Sequence, residues 1–136
     1  MADCVFCKIV AGEIPSAKVY EDEHTLAFLD IAPTVPGHTL VIPKKHCVNI
    51  FDADEETLAQ VMATVKKIAP AVRDAVGARG MHINSNHEAA AGQLVFHLHF
   101  HLIPRHNRGE FEFWSQKKYA PGEQEQIAER IRAALL

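Results

Sequence analysis

The chain has 136 residues, 48% of them hydrophobic and 23% charged, with a formal net charge of −3. That length supports one domain with its own core, and the acidic balance argues against a nucleic-acid backbone as partner while leaving room for a pocket that holds a single phosphate. No apolar run reaches the ~18 residues of a membrane span, Met-Ala-Asp-Cys at the start is no secretory leader, and an odd count of 3 cysteines suits a reducing, cytoplasmic setting rather than a disulfide framework.

Cys4-Val5-Phe6-Cys7 opens the chain and leads into a short helical turn that Gly12 closes. Cys-x-x-Cys has three readings: a redox pair, a disulfide or half of a zinc site. A redox pair needs a preceding strand that is not there, and the compartment disfavours a disulfide. Half a zinc site needs two more ligands and stays open on these residues alone. Val19 and Tyr20 read as a first strand, residues 21–23 as a turn and residues 24–31 as a second strand. Asp30 ends this apolar run, where a carboxylate can simply cap the strand. Prolines and Gly37 make residues 32–37 a loop, and residues 38–43 form a third strand ended by Pro43.

Residues 52–76 carry the longest helical pattern, with Leu58, Val61, Met62, Val65, Ile68, Ala69, Val72 and Val76 on one stripe. Asp52 or Asp54 suits the cap and Gly77 the stop. Pro70 should kink or split the helix, because it has no N–H to give and crowds the Lys66 carbonyl. A fourth strand over residues 80–84 and a small-residue loop over 85–92 lead into residues 93–104, read as a fifth strand. A polar stretch and the aromatics Phe111, Phe113 and Trp114 precede a last helix over 122–136. Hairpin spacings too short for crossovers make the class α+β, with a mostly antiparallel sheet.

On a strand, His97, His99 and His101 share one face, about 6–7 Å apart, while Leu98, Phe100 and Leu102 share the other. Two such imidazoles could hold a catalytic zinc if a further ligand came from elsewhere. Alternatively, one is a nucleophile that its neighbours orient, and then it must be neutral.

The segment His97-Leu98-His99-Phe100-His101-Leu102-Ile103 resembles the His-φ-His-φ-His-φ-φ signature (φ apolar) of the histidine triad (HIT) superfamily. Further landmarks occur in the family's order: Phe6-Cys7-Lys8-Ile9, residues 26–31, Pro36-Gly37-His38, residues 41–46, Asn84 and Gly92-Gln93. The resemblance implies a single HIT domain over residues 1–136, with its core at 4–105 and a C-terminal extension at 106–136. It also implies a five-stranded sheet with one long helix and a C-terminal helix.

What the resemblance implies for chemistry is a nucleotide hydrolase acting on purine nucleoside phosphoramidates or dinucleoside polyphosphates. His99 would attack the α-phosphate to form a covalent nucleotidyl-histidine, which water hydrolyses to a nucleoside monophosphate. His101 would bond the phosphate or bridging oxygen. Gln93 and the backbone after Gly92 would hold phosphate oxygens, and Asn84 would position phosphate or ribose. Asp30 would accept from the ribose hydroxyls, and Phe6, Ile9, Phe28, Leu29 and Ile31 would form the base slot. Cys4, Cys7, His46 and His97 would complete a structural zinc site, as in some members, and a homodimer is the family habit. Members often carry a polar residue where this chain has Leu94, a departure that bears on the leaving group. The rival readings are a zinc hydrolase using His97 and His99, and a non-catalytic nucleotide-binding or regulatory module.

Overall fold

In the computed structural model, which describes residues 3–135, two apolar runs become the centre of one sheet: β2 (Thr25–Leu29) and β3 (Thr39–Pro43). With β1 (Lys18–Glu21), β4 (Gly80–Asn84) and β5 (Phe100–Arg105) they form a five-stranded sheet in the order β1-β2-β3-β5-β4. Every neighbouring pair is antiparallel. Helices α1 (Val5–Val10), α2 (Glu55–Ala75) and α3 (Glu123–Ala134) complete the chain, and the α+β expectation holds.

β2 and β3 lack the usual polar alternation because both faces of the sheet are covered. Ala27, Val41 and Leu102 pack on Val61, Val65, Ile68 and Val72 of α2. The alternate residues Leu26, Phe28, Leu40 and Ile42 pack on Phe6 and Ile9 of α1. Burial of such side chains supplies roughly 1.5–3 kcal/mol each, so both layers count towards stability. A buried hydroxyl pair, Thr25 Oγ1 to Thr64 Oγ1 at 2.7 Å, fastens α2 to β2.

Helix α2 starts later than Asp52: Asp54 caps it by accepting from the Thr57 N–H at 2.8 Å, while Asp52 instead accepts from Val48 and Asn49. The helix is not split at Pro70. Pro70 and Lys66 both lie on the exposed face, where water can take the carbonyl left without a donor. Met62 falls on that exposed side too, and Thr57 and Thr64 are buried in its stead.

The fifth strand is shorter than residues 93–104: it begins at Phe100, so His97 and His99 precede it in irregular backbone and only His101 lies within it. The register explains the difference. Val41 pairs with Phe100, and two residues on, Pro43 has no N–H with which to extend the ladder. The loop after Pro43 takes over, and the Leu98 N–H donates to the Cys47 carbonyl at 2.8 Å. This switch leaves His97 and His99 in the segment before β5, with His97 against the Pro43 carbonyl at the end of β3. Helix α3 buries no residue, and Ile131 and Leu135 of its apolar face are exposed.

Candidate active site and metal-binding group

Between α1, β2 and the segment before β5 lies a cavity of about 930 Å³. Phe6, Ile9, Phe28 and Leu40 form its apolar interior, Asp30 stands at its side, and Gly92, His99 and His101 line its other end. Phe6 joins the two ends, with its ring edge-on to Phe28 at 5.6 Å and to His99 at 5.1 Å.

The hydrogen bonds fix which nitrogen of each imidazole carries the proton. His99 Nδ1–H donates to the His97 carbonyl at 2.7 Å, which leaves the lone pair on Nε2. The Thr34 N–H donates to His38 Nδ1 at 3.1 Å, so the His38 proton sits on Nε2. That N–H donates to His101 Nδ1 at 2.9 Å, which places the His101 proton on Nε2. The result is one imidazole with an available lone pair and a neighbour with an available donor, their rings 5.0 Å apart. Asp30 Oδ2 lies 3.6 Å from His38 Nε2, and its Oδ1 accepts from the Ala32 N–H at 2.9 Å.

Burial disfavours the charged form at each ring. It lowers the His99 pKa below the ordinary histidine value, outweighing the bond to the His97 carbonyl and the nearby Asp30 charge, which both act the other way. Burial is also the main cause at His101, brought down to about 4, with His99 and His38 adding to it. His38 is lowered in the same sense. At neutral pH the rings are therefore uncharged, the state that a nitrogen nucleophile requires.

His38 owes its place to Gly37. At φ +94° Gly37 is in the left-handed region, and a Cβ there would meet Val76 Cγ1 at 3.0 Å and Pro104 at 3.2 Å. Both the backbone and the packing demand glycine.

Several candidates from the sequence fall elsewhere. Gln93 is buried and does not line the cavity: its Oε1 accepts from Asn49 and from the Glu88 N–H, and its Nε2 donates to the Val48 and Val95 carbonyls. With all its polar capacity used internally, it braces the loop instead of facing a ligand. Asn84 is exposed on the edge strand, opposite His101 in register, and Asn86 lines the cavity where Asn84 does not. Leu29 and Ile31 line the rim and not the floor, Ile31 being 100% exposed. The relay residue His38, and Leu40 and Val95 on the walls, were not among the expected site residues. The register that sets Leu40 beside His101 is the geometry that brings them in.

Next to the imidazole end, Cys4, Cys7, His46 and His97 converge, with their ligand atoms all within 4.8 Å of one another. Nδ1 of His97 lies 3.3 Å from Cys4 Sγ, 3.6 Å from Cys7 Sγ and 3.2 Å from His46 Nδ1. A four-coordinate ion with bonds of about 2.3 Å to sulfur and about 2.0–2.1 Å to nitrogen would set S–N edges near 3.6 Å and N–N edges near 3.3 Å. The four residues fit such an ion. His97 Nε2–H donates to the Pro43 carbonyl at 2.8 Å, so its Nδ1 lone pair is directed at the group, the usual orienting bond of a metal-bound imidazole. Burial brings His97 down to about 4 and pushes the Cys7 thiol up to about 11. A cation among them would relieve both penalties. Cys4 also caps α1, its Sγ accepting from the Cys7 N–H. Using His97 and His99 together as metal ligands does not match this geometry, because His97 Nδ1 is directed at Cys4, Cys7 and His46 while its Nε2–H is bonded to the Pro43 carbonyl, which leaves it no nitrogen to share with His99.

Residues 11–108 match the HIT domain family. The protein named "Protein hit" of Bacillus subtilis is 53% identical over 108 residues, covering 79% of this chain and 74% of the relative. Adenosine 5′-monophosphoramidase hnt1 of Schizosaccharomyces pombe is 39% identical over 134 residues, covering 97% of this chain and 98% of the relative. Among solved structures, a Zn-bound histidine triad family protein from Mycobacterium smegmatis superposes with a TM-score of 0.77 at 40% identity, covering 97% and 98% of the two chains. A histidine-bearing α+β fold with a cavity at the triad defines a histidine triad protein, and this chain belongs to the HIT family.

Proposed function

We propose that the protein is a nucleotide hydrolase that cleaves at the α-phosphate of purine nucleoside phosphoramidates or dinucleoside polyphosphates and releases a nucleoside monophosphate. The observation that carries this reading is the pair of fixed tautomers: a lone pair on His99 Nε2 beside a donor on His101 Nε2, both at the mouth of an apolar slot.

The base enters between Phe6, Ile9 and Phe28, and Asp30 accepts from the ribose hydroxyls. His99 Nε2 attacks phosphorus as the bond to the leaving group breaks. The leaving group departs with the bonding pair and takes a proton from solvent. Positive charge builds on the His99 ring as it attacks, and the Nδ1–H bond to the His97 carbonyl strengthens with it. His101 Nε2–H donates to a phosphoryl oxygen, and the backbone after Gly92 holds another. Water then attacks phosphorus, the P–N bond returns its pair to His99, and the proton lost by water replaces the one taken from solvent. The Gln93 amide acts at a distance by holding this loop.

The resident ion of the Cys4, Cys7, His46 and His97 group is zinc in this reading, since two thiolates and two imidazoles with no open position suit a structural zinc. When bound it ties α1, and with it Phe6, to the backbone that presents His99. A homodimer is proposed on the unpaired outer edge of β4 and on exposed Met62 and Ile83. No described helix is long and apolar enough to cross a membrane, and cysteines that form no disulfide among the described residues suit a cytoplasmic setting. Incubation with adenosine 5′-phosphoramidate and measurement of AMP release tests the reading. Binding of nucleotide without release would point to the non-catalytic module instead.

A further inference from the structure

Cys4 and Cys7 are placed for a second chemistry besides holding a metal. Cys4 stands in extended backbone just ahead of α1, and its carbonyl accepts from the Lys8 N–H at 3.1 Å, which starts the helix. Cys7 lies in the first turn, and its N–H donates to Cys4 Sγ at 3.3 Å. Cα atoms three residues apart on a helical turn are separated by about 5 Å, inside the roughly 4.4–6.8 Å that a disulfide spans. Both side chains are half-buried, so a small oxidant reaches them, whereas the third thiol, Cys47, is buried.

A disulfide and a shared metal exclude each other at this pair. Four-coordinate zinc holds two sulfurs about 3.8 Å apart, against about 2.05 Å in an S–S bond. Two thiolates also supply the negative charge that offsets a divalent cation, and His46 and His97 alone supply none. The cavity feels the difference through Phe6, which lies between the two cysteines in the chain. Its ring stands edge-on to Phe28, His97 and His99 at 5.6, 5.8 and 5.1 Å. Helix α1 has 6 residues, too few to hold their shape unaided, so the ties at Cys4 and Cys7 help to seat Phe6 in the cavity floor.

We infer that Cys4 and Cys7 form an oxidation-sensitive site, at which a hydroperoxide makes a disulfide, expels the metal and loosens the cavity floor. One thiolate attacks a peroxide oxygen, the O–O bond breaks, and the departing oxygen takes a proton from solvent. A sulfenic acid remains on that cysteine. The other thiolate attacks its sulfur, the S–S bond forms, and hydroxide leaves to take a second proton. The two sulfurs together lose two electrons, and the peroxide gains them. The effect on the cavity rests on the nucleotide reading above; the oxidation does not.

The test treats the zinc-loaded protein with a low molar excess of hydrogen peroxide. Released zinc is followed with a chromophoric chelator, thiols by alkylation and mass spectrometry, and AMP binding by calorimetry. One zinc should leave for each disulfide formed. The tryptic peptide ending at Lys8 carries both cysteines and should become lighter by two hydrogens, while Cys47 remains open to alkylation after unfolding. AMP affinity should fall about tenfold, the upper worth of one aromatic contact, and a phosphine reductant with added zinc should restore it. Zinc retained under peroxide, zinc leaving with the thiols as sulfinic acids, or protein that takes up no zinc would overturn the site. Unchanged AMP affinity in the disulfide form would overturn its hold on the cavity. Absence of AMP binding in the reduced, zinc-loaded protein would instead overturn the nucleotide reading and leave the oxidation standing.

Discussion

His38 Nε2 and His101 Nδ1 lie 2.9 Å apart, and the Thr34 N–H on the far side of His38 sets the direction of the proton between them. A backbone amide on the loop before β3 thereby decides which nitrogen of His101 faces the cavity as a donor. Replacing His38 with Ala should leave His101 free to take the other tautomer. We expect kcat to fall on the order of 10-fold to 100-fold with KM little changed, and His38→Gln, which keeps a donor, to recover part of the loss. Steady-state kinetics of both variants checks it; equal losses in KM would mean that His38 serves only substrate binding.

The acid side of the pH profile should reflect this relay. Burial holds His101 down at about 4, from 6.5, and lowers His38 as well, while Asp30 opposes the shift at both and Arg105 adds to it at His38. Protonating His101 would place a second N–H against the His38 donor. Activity should therefore persist below pH 6.5, the ordinary histidine value, since His99, His38 and His101 are all lowered by burial. The sign for stability is the same: between the two His101 values the unfolded chain binds the proton that the folded one refuses. Stability is thus complete above the unfolded value and declines as pH drops towards 4. A kcat midpoint at the ordinary histidine value would contradict this.

Asp30 is the carboxylate beside the slot. Asp30→Ala should raise KM for a ribonucleotide substrate by about 10-fold to 100-fold, the worth of a hydrogen bond to a charged group. A 2′-deoxy substrate should lose less, having less to lose. Equal losses on both substrates would assign Asp30 to holding His38 instead.

Elemental analysis should find about one zinc per chain, as four ligands with no open position require. Cys4→Ser separates the two tasks of that residue, since serine can still cap α1 but cannot match the thiolate as a ligand. The variant should lose metal, and its Tm should drop by roughly 10 °C or more. A full complement of metal in Cys4→Ser would remove Cys4 from the site.

How much of this the sequence carries differs by residue. The alternation of His97, His99 and His101 is legible because a period of two has few other uses, and Cys-x-x-Cys is legible as half of a ligand set. β4 is found at its own bounds, Gly80–Asn84. Less visible is that the triad straddles a strand end, because that depends on Pro43, more than fifty residues away, having no N–H for its partner. Gln93 looks like a site residue by spacing, and its inward rotation follows from four hydrogen bonds made with three separate segments. Asn84 and Asn86 differ by two positions, and only the bend of the loop off the edge strand says which one lines the cavity. Pro70 is misjudged by local rules, since the exposure of its face depends on where the sheet lies. His82, His87 and His106 each have a partner outside the cavity: the Arg105 Nε–H, the Ile50 N–H and the Val76 carbonyl.

The central claim is that His99 becomes covalently bonded to phosphorus. Rapid quenching of the protein with adenosine 5′-phosphoramidate, followed by peptide mass spectrometry, tests it most directly. An adenylyl group should appear on the peptide containing His99 and be absent from His99→Ala, which should lose turnover by about 10⁴-fold or more while still binding nucleotide. Turnover retained in His99→Ala, or an adduct on another residue, would contradict it.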